Sequence, residues 1–212
     1  AQTSSDFLHE MSCLANTGGT LAVDVEWRPD AGHTNNAPSL LQLASLVEEA
    51  GLEEREVRVW LLDVEAYTKE PASSALASNL HDISAALGSV FKSSQVRILG
   101  FSFQTDLDKL SLLSSWCCFS VAHRVIDLRD VCIALQGQRR VAGHTKGVEF
   151  SLSAQLELWT GRTLDKTMQC SDWARRPLTE AQICYAAADA ACLLQLYRAI
   201  ADHNSADLVE RD

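Results

Sequence analysis

The chain has 212 residues, a formal net charge of −10 at pH 7 and a hydrophobic content of 47%. This length and apolar content are enough for one domain with a full core. The negative charge argues against a protein that coats duplex nucleic acid through non-specific phosphate contacts. Because no apolar run approaches the ~18 residues of a membrane-spanning helix, we expect a soluble protein with no membrane partner.

The cysteines indicate the compartment. Seven cysteines are present, they form no C-x-x-C pair, and most lie in apolar stretches where a thiol behaves as a small hydrophobic group. We therefore expect an intracellular, reducing compartment, cytoplasm or nucleus, and no zinc site.

Strands are predicted where short apolar runs are bounded by turn formers, at residues 20–27, 39–47, 57–64, 96–103 and 123–126. The connections among the first three carry no pattern of a crossover helix, so these strands are predicted to form an antiparallel meander. The fourth strand follows a helix and is expected to lie parallel to the first.

Helices are predicted over residues 6–15, 73–91, 106–113, 127–135, 152–159 and 179–201, with a loop containing Gly and Arg over 136–147. Thr179 and Gln182 form a capping box at the start of the last helix. The fold class is therefore α/β, a mixed five-stranded sheet of three antiparallel strands and then two parallel ones, flanked by helices. No linker or repeat interrupts it, so we expect a single domain over 1–212 with its core at about 20–202.

The first strand, TLAVDVEW at 20–27, carries two carboxylates on one face. Alternation directs Asp24 and Glu26 to the same side, with Cα atoms roughly 7 Å apart. Like charges at that distance favour a divalent cation with hard oxygen ligands, Mg²⁺ or Mn²⁺. The alternative is that Glu26 ends the strand and pairs with Arg28.

Further candidate acids lie downstream. Asp106 follows the fourth strand, at the edge where open α/β sheets bind ligands, although an acid in the first turn of a helix is also favoured by the helix dipole. Asp189 lies in an apolar helix, where an unpaired surface charge is not expected. Tyr185 is four residues earlier, so its hydroxyl shares a helix face with that carboxylate.

These motifs resemble a known family. D-x-E on a first strand, an Asp after a later strand and Y-x-x-x-D on a C-terminal helix resemble the exonuclease motifs of the DnaQ-like, RNase H-like superfamily in its DEDDy branch. PSLLQLA, ILGFSFQTDLDKL and the segment from Leu164 to Tyr197 extend the similarity to ribonuclease D, the Werner syndrome exonuclease and the Nibbler-type exonucleases. The histidine branch would need His at 184, where this chain has Cys184.

The resemblance implies two divalent cations, Mg²⁺ or Mn²⁺, and a role for each side chain. Asp24 would bridge both ions, Glu26 and Asp189 would complete the site of the ion on the nucleophile side, and Asp106 would hold the second ion mainly through water. Tyr185 would orient the attacking water, since a phenol with a pKa near 10 is a poor base at neutral pH. A protein partner in small-RNA trimming is also implied.

Contacts with the substrate are predicted from aromatic and basic residues. Trp27 either stacks on the terminal nucleotide or belongs to the core, and its alternation with Val25 favours the core. Two basic clusters could bind phosphates or could simply be solvated, and Trp173 is expected to be a packing anchor for the last helix. The basic residues are Arg139, Arg140, His144 and Lys146 in one cluster and Lys166, Arg175 and Arg176 in the other.

The function that we expect is metal-dependent 3′-5′ exonuclease activity, removing nucleoside 5′-monophosphates from single-stranded 3′ ends, RNA rather than DNA. One alternative is a catalytically silent nucleic-acid-binding or protein-interaction module on the same fold. Another is a metal-dependent small-molecule phosphoesterase.

Overall fold

The structure is a computed structural model that describes residues 4–32, 34–47, 56–64, 74–113, 125–140 and 150–209. Side chains are described within these ranges except at 47, 74–78, 137–140 and 204–209. The described strands form one sheet in the order β3-β2-β1-β4-β5. They are β1 Gly19–Trp27, β2 Pro38–Val47, β3 Glu56–Asp63, β4 Val96–Gly100 and β5 Val125–Asp127.

The pairing confirms the predicted mixed sheet. Strand β2 is antiparallel to both β1 and β3, whereas β4 is parallel to both β1 and β5. Strand β1 is thereby the central strand, paired on both edges. The described helices are α1 Ser4–Thr17, α2 Ser74–Lys92, α3 Gln104–Leu110, α4 Leu128–Arg140, α5 Leu152–Thr160 and α6 Glu180–Val209.

Helices cover both faces of the sheet, and the alternation along β1 explains why. Leu21, Val23 and Val25 point into a core shared with α1 and α2. Ala22 points the other way, into a core shared with α4, α5 and α6, which also contains Ala190. The predicted separation of the two faces of β1 is confirmed, and the small alanines let α6 approach the sheet closely.

Some predicted boundaries are wrong. Strand β4 ends at Gly100 rather than at 103, because the chain turns sharply there. Ser102 takes a positive φ of 55°, and a Cβ on Gly100 would lie 2.6 Å from the Phe103 ring. The fifth strand is shifted to Val125–Asp127, and residues 123 and 124 of the predicted strand lie outside the described residues.

Two helices are longer than predicted. Helix α4 continues to Arg140, so the loop predicted over 136–147 is wrong for its first part, and its remainder from 141 lies outside the described residues. A glycine at 137 suggested a break, but one helical glycine costs only about 1 kcal/mol. Helix α6 continues to Val209 instead of ending near Ala201.

Helix α6 is apolar enough to resemble a membrane span. Its Glu180–His203 stretch is the one helix meeting a length and composition test for crossing a membrane among the described residues, with a hydropathy of 1.2 over its most apolar window. The expectation that no segment approaches such a composition was therefore too strong. Half of this window is buried, and Leu193, Leu196 and Ile200 pack in the core beneath the sheet. Packing against the sheet accounts for this composition.

The start of α6 is fixed by the predicted capping box. The Thr179 hydroxyl accepts from the Gln182 backbone N–H at 3.2 Å, and the Gln182 side-chain oxygen accepts from the Thr179 N–H at 3.0 Å. Trp173 is fully buried, and its ring centroid lies 5.9 Å from that of Tyr185. The prediction that Trp173 anchors the last helix is confirmed.

Arg176 joins the segment before α6 to the edge of the sheet. Its Nε and Nη2 donate to the two carboxylate oxygens of Asp63 at 2.7 and 2.6 Å. Its remaining N–H groups donate to the backbone oxygens of Ser39, Trp173 and Arg175 at 2.7 to 2.9 Å. All the donors of the guanidinium are thereby used inside the fold.

Replacing Arg176 should therefore destabilise the protein. The Arg176→Lys variant keeps the charge but loses the two-pronged pairing with Asp63, and we expect the free energy of unfolding to fall by about 1–2 kcal/mol. Urea denaturation measures this change. The matched control is Arg175→Lys, an exposed neighbour, which should change stability by less than about 0.5 kcal/mol. Equal effects of the two substitutions would contradict the structural role of Arg176.

Candidate active site

Three carboxylates meet between the centre of the sheet and the last helix. Asp24 and Glu26 share the face of β1 that is turned toward α6, and Asp189 lies on α6 opposite them. One ligand oxygen from each of the three lies within 4.8 Å of the others. Glu26 and Asp189 are buried, with 8% and 6% of their surface exposed, whereas Asp24 is half-buried. The sequence predicted that these acids converge, and the structure brings them together.

The fourth predicted acid lies in the same cavity but outside that close group. Asp106 is in the first turn of α3 and is 6% exposed. The cavity has a volume of about 450 Å³, and all the predicted catalytic side chains line it: Asp24, Glu26, Asp106, Tyr185 and Asp189. Asp106 is therefore not a solvated acid at the start of a helix, because its side chain is buried in the wall of the cavity that holds the other acids.

Tyr185 and Asp189 interact directly on α6. The phenol hydrogen bonds to the Asp189 carboxylate, as their spacing of one helical turn predicts. The Oδ1 atom of this carboxylate is buried, and it has no hydrogen-bond partner among the residues that the structure describes. A buried carboxylate oxygen without a donor is destabilising, so this atom is suited to a cation.

The proximity of the acids changes their ionisation. Burial first, and then the charges of Asp24 and Asp189, raise the pKa of Glu26 to about 10. Burial and the charge of Asp189 raise the pKa of Asp24 to about 8, and burial with the charges of Asp24 and Asp127 raises that of Asp106 to about 9.

Asp189 is the least perturbed of the four acids. Burial raises its pKa to about 6, and the hydrogen bond from Tyr185 and the positive charge of Lys166 limit that rise. Burial, followed by the charge of Asp189, raises the pKa of Tyr185 above its ordinary value of 10. The phenol is therefore protonated at neutral pH.

The donor set fits a divalent metal ion. Asp24, Glu26 and Asp189 supply only carboxylate oxygens, which are the ligands that Mg²⁺ and Mn²⁺ prefer. A bound cation would offset the repulsion that raises the pKa of Asp24 and Glu26, and it would give Oδ1 of Asp189 a partner. These three acids could hold one ion, and Asp106, which lines the same cavity, could supply a further ligand.

The alternative in which Glu26 pairs with Arg28 is wrong. Arg28 is exposed, and its Nε lies 3.8 Å from Oδ1 of Asp172 instead. Glu26 continues the alternation of β1 into the cavity.

The turn between β4 and α3 is a feature that the sequence did not reveal. Asp127, at the end of β5, accepts backbone N–H bonds from Ser102 and Phe103 at 2.9 Å and from Arg129 at 3.0 Å. These bonds hold Ser102 in its positive-φ conformation, which is unfavourable for a residue with a side chain. The turn sets the start of α3 and thus the position of Asp106. An Asp directly before a helix was the one available signal.

Gln42 is a second residue whose place was not predicted. It lies opposite Asp24 in the β1–β2 register, and its side chain is fully buried. Neither its amide oxygen nor its amide nitrogen has a partner among the described residues. Side chains directly opposite each other in an antiparallel pair share a face, so this amide lies beside the acids.

The predicted substrate contacts divide into several groups. Trp27 and Lys166 line the cavity, and Trp27 also packs against the core shared with α1 and α2. Stacking of Trp27 on a nucleotide stays a prediction. The suggestion that Arg176 binds phosphate is wrong, because its donors are used by Asp63 and backbone oxygens. Arg175 is exposed and does not line the cavity.

Only part of the first basic cluster, Arg139, Arg140, His144 and Lys146, lies within the described residues. Arg139 and Arg140 end helix α4, but their side chains lie outside the described residues. His144 and Lys146 lie in the segment 141–149, which is also outside them. Their contacts with phosphate stay predictions. The cavity wall adds polar side chains that the sequence did not single out: Ser102, Thr105, Ser151, Gln169 and Cys170.

Stability should fall as pH rises when metal is removed. The raised pKa values mean that Glu26, Asp24 and Asp106 bind protons in the folded state that they release in the unfolded state. Their contribution is present below the unfolded pKa of about 4 and is lost as pH rises through about 8 to 10, with a slope of about 1.4 kcal/mol per pH unit for each proton taken up.

Urea denaturation in the presence of a chelator, between about pH 5 and about pH 9, measures this slope. Glu26→Gln should flatten it, because the amide does not titrate, and Asp202→Asn at an exposed position of α6 is the control. A slope that is the same in Glu26→Gln and in the wild type would show that Glu26 is ionised in the metal-free fold.

Comparison with known proteins gives a consistent result. The model of a family described as 3′-5′ exonuclease matches residues 2–203. The human "Exonuclease mut-7 homolog" is 30% identical over 204 residues, which are 92% of this chain and 21% of that protein. A Shewanella "Ribonuclease D" is 42% identical over 73 residues, which are 34% of this chain and 17% of that protein.

A solved structure supports the same assignment. The Aedes aegypti Nibbler EXO domain superposes with a TM-score of 0.65 at 26% identity, covering 92% of this chain and 83% of that one. The chain spans about a fifth of the length of the curated relatives it matches. The resemblance to ribonuclease D and to the Nibbler-type exonucleases is confirmed, and the mixed sheet is that of an RNase H-like fold. This chain belongs to the 3′-5′ exonuclease family.

Proposed function

We propose that this chain is a metal-dependent exonuclease of the DEDDy type, which removes nucleoside 5′-monophosphates one at a time from single-stranded 3′ ends. One observation carries the proposal. The three carboxylates that meet within 4.8 Å share an open cavity with Asp106 and with a tyrosine hydrogen-bonded to Asp189. In a chain of the 3′-5′ exonuclease family, this set matches the side chains that the DEDDy pattern requires.

Two divalent cations, Mg²⁺ or Mn²⁺, are part of the proposal. Asp24, Glu26 and Asp189 would hold one, and Asp106 together with Asp24 would hold the other. When bound, such ions lower the pKa of water and stabilise the charge that develops on the phosphate and the leaving oxygen. Oδ1 of Asp189 has no hydrogen-bond partner among the described residues, and the pKa values of the acids are raised; both observations support a site built for cations.

Tyr185 acts as a hydrogen-bonding group and does not remove a proton. Its pKa lies above the ordinary value, so the phenol keeps its proton at neutral pH. The hydroxyl donates to Asp189, and its oxygen can still accept a hydrogen bond from a water molecule in the cavity. The ring packs against the buried Trp173. Tyr185 is thus fixed well enough to orient the attacking water.

The approach to the acids is built for a nucleic-acid end. Lys166 lines the cavity and supplies a positive charge beside Asp189, where a phosphate would enter. Trp27 supplies an aromatic surface in the same wall. Arg139, Arg140, Lys146 and Arg175 extend this approach in the proposal as phosphate contacts farther along the strand. We propose RNA rather than DNA as the physiological substrate, because ribonuclease D is among the relatives.

The chain as a whole is proposed to act as one exonuclease domain in a reducing compartment, the cytoplasm or the nucleus. Five described cysteines are free thiols, which fits that compartment: Cys13, Cys132, Cys170, Cys184 and Cys192. The similarity to Nibbler-type exonucleases adds a protein partner in small-RNA trimming to the proposal.

The product ladder of a defined substrate tests the activity. Labelled RNA and DNA oligomers that carry a single-stranded 3′ overhang on a duplex should be shortened from the 3′ end in Mg²⁺ or Mn²⁺, and digestion should stall near the duplex because each paired nucleotide must first be unstacked. Asp24→Asn should release no product. The expected product is a nucleoside 5′-monophosphate, with RNA digested faster than DNA.

Three outcomes would count against the proposal. Release of nucleotides from oligomers whose 3′ ends are blocked would contradict the polarity. Tight binding of the oligomer without any product would indicate a silent binding module. Full activity of Asp24→Asn would remove Asp24 from the site, provided that circular dichroism shows the variant to be folded.

The role of Tyr185 is tested by removing its hydroxyl alone. Tyr185→Phe keeps the ring and the carboxylates, so we expect slower turnover, each tenfold loss corresponding to about 1.4 kcal/mol, with little change in metal affinity. Single-turnover rates and metal titration of the same preparation separate the two effects. Asp189→Ala is the contrasting variant and should lose both. Wild-type turnover by Tyr185→Phe would show that the hydroxyl does not orient water.

A further inference from the structure

Lys109 is buried next to the cavity, although lysine is seldom buried. It lies in the last turn of α3, with 6% of its surface exposed. A buried ammonium group is destabilising unless its donors are paired. The same short helix carries Asp106 one turn earlier. Residues that bind the Lys109 ammonium group are therefore held close to the acids.

The ammonium group has three oxygen partners, and all of them come from the connection between β1 and β2. It donates to Oδ2 of Asp30 at 2.6 Å, to Oδ1 of Asn35 at 2.7 Å and to the backbone oxygen of Asn36 at 3.2 Å. These bonds use the three donors that a lysine has. The connection is thereby tied to α3 at a single buried charge.

Hydrogen bonds also link residues within the β1–β2 connection to each other. The Asn36 backbone N–H donates to Oδ1 of Asp30 at 2.7 Å, and the Asn36 amide donates to the backbone oxygens of Arg28 and Pro29 at 3.1 Å. The hydrogen bond from Lys109 holds the pKa of Asp30 below its ordinary value, so the carboxylate stays charged at neutral pH. Apart from residue 33, which lies outside the described residues, the segment 28–36 is therefore cross-linked and rests on Lys109.

Trp27 completes the arrangement. The Lys109 Nζ lies 5.1 Å from the centroid of the indole ring, which is cation–π distance. The ring packs partly against the core shared with α1 and α2, and with Pro29 it lines the cavity that holds the acids. Its position in the cavity wall is thus fixed by the core on one side and by the ammonium group on another.

We propose that Lys109 is a positioning residue, which holds Trp27 and the 28–36 segment in place as the surface on which the terminal nucleoside packs. This inference rests on the proposed exonuclease function, since it assigns the wall of that cavity to the end of the strand. Stacking of a base on an aromatic ring tolerates any sequence, and it is lost when the ring can move away. Lys109 itself does not touch the substrate.

The experiment compares two RNA oligomers of one sequence, one ending in adenosine and one ending in a residue that lacks the base. The wild type should favour the adenosine end by roughly tenfold in kcat/KM, in line with the strength of base stacking on an aromatic ring. Lys109→Met removes the charge but keeps much of the apolar chain. It should raise KM for the adenosine end and abolish most of that preference, with kcat/KM for the base-free end near the wild-type value.

The matched control is Arg58→Met, which also breaks an ion pair. Arg58 on β3 contacts Glu10 on α1 at 3.2 Å, away from the cavity. This variant should keep the full preference for the adenosine end. Amide hydrogen exchange gives a readout that needs no activity, because residues 28–36 should exchange faster in Lys109→Met and at the wild-type rate in Arg58→Met. If Lys109→Met does not fold, Asp30→Asn weakens the same contact from the partly exposed side.

Each outcome decides the matter. Retention of the full preference in Lys109→Met overturns the proposal, and so does an equal loss of kcat/KM on both ends, which would mean a general structural role. If the wild type digests both ends equally well, the terminal base does not pack on Trp27 and its segment, and the proposal is wrong. A wild type that digests neither end contradicts the exonuclease function itself, whereas an unchanged exchange rate at 28–36 contradicts the role of Lys109 alone.

Discussion

Electrostatic repulsion among buried carboxylates is the constraint on which the rest of the structure depends. Asp24, Glu26 and Asp189 are held together although burial raises the pKa of all three and repulsion by neighbouring acids raises the pKa of Asp24 and Glu26 further. Left to themselves, two of these acids on one strand and one on a helix would separate. The rigid parts of the fold oppose that separation. Strand β1 is paired on both edges, and α6 packs against the sheet in a core that contains Ala22, Ala44 and Ala190.

The contacts that oppose the repulsion lie around the acids and come from distant parts of the chain. Arg176 ties the start of α6 to the end of β3, and Asp127 fixes the turn that leads to Asp106. Lys109 ties the connection after β1 to the same helix α3. Each contact uses a charged group whose donors or acceptors are satisfied inside the fold. Hydrogen-bonded charged side chains around the site therefore hold in place the elements that carry the acids.

Local patterns predicted most of the fold and the acids, because alternation, helical spacing and capping are properties of neighbouring residues. Strand β1, the capping box at Thr179 and the Tyr185–Asp189 pair were all accessible in this way. The early end of β4 could not be predicted in this way, because a serine at position 102 does not indicate a positive φ. The acidic partners of Arg176 and Lys109 were equally inaccessible, since Asp63 and Asp30 lie 113 and 79 residues away in the sequence. A basic residue near a site therefore suggested phosphate binding where the fold uses it for support.

The alternation of β1 gives this strand no tolerance for the insertion or deletion of a single residue. A shift by one position would turn Val23 and Val25 toward α6 and drive Asp24 and Glu26 into the apolar core beneath α1 and α2. Such a chain would lose its fold together with its acids. A substitution at one acid, by contrast, removes a charge from a repulsive cluster and leaves both cores intact. Relatives that keep the fold but have lost the chemistry should therefore arise through point changes at these acids, with the length of β1 preserved.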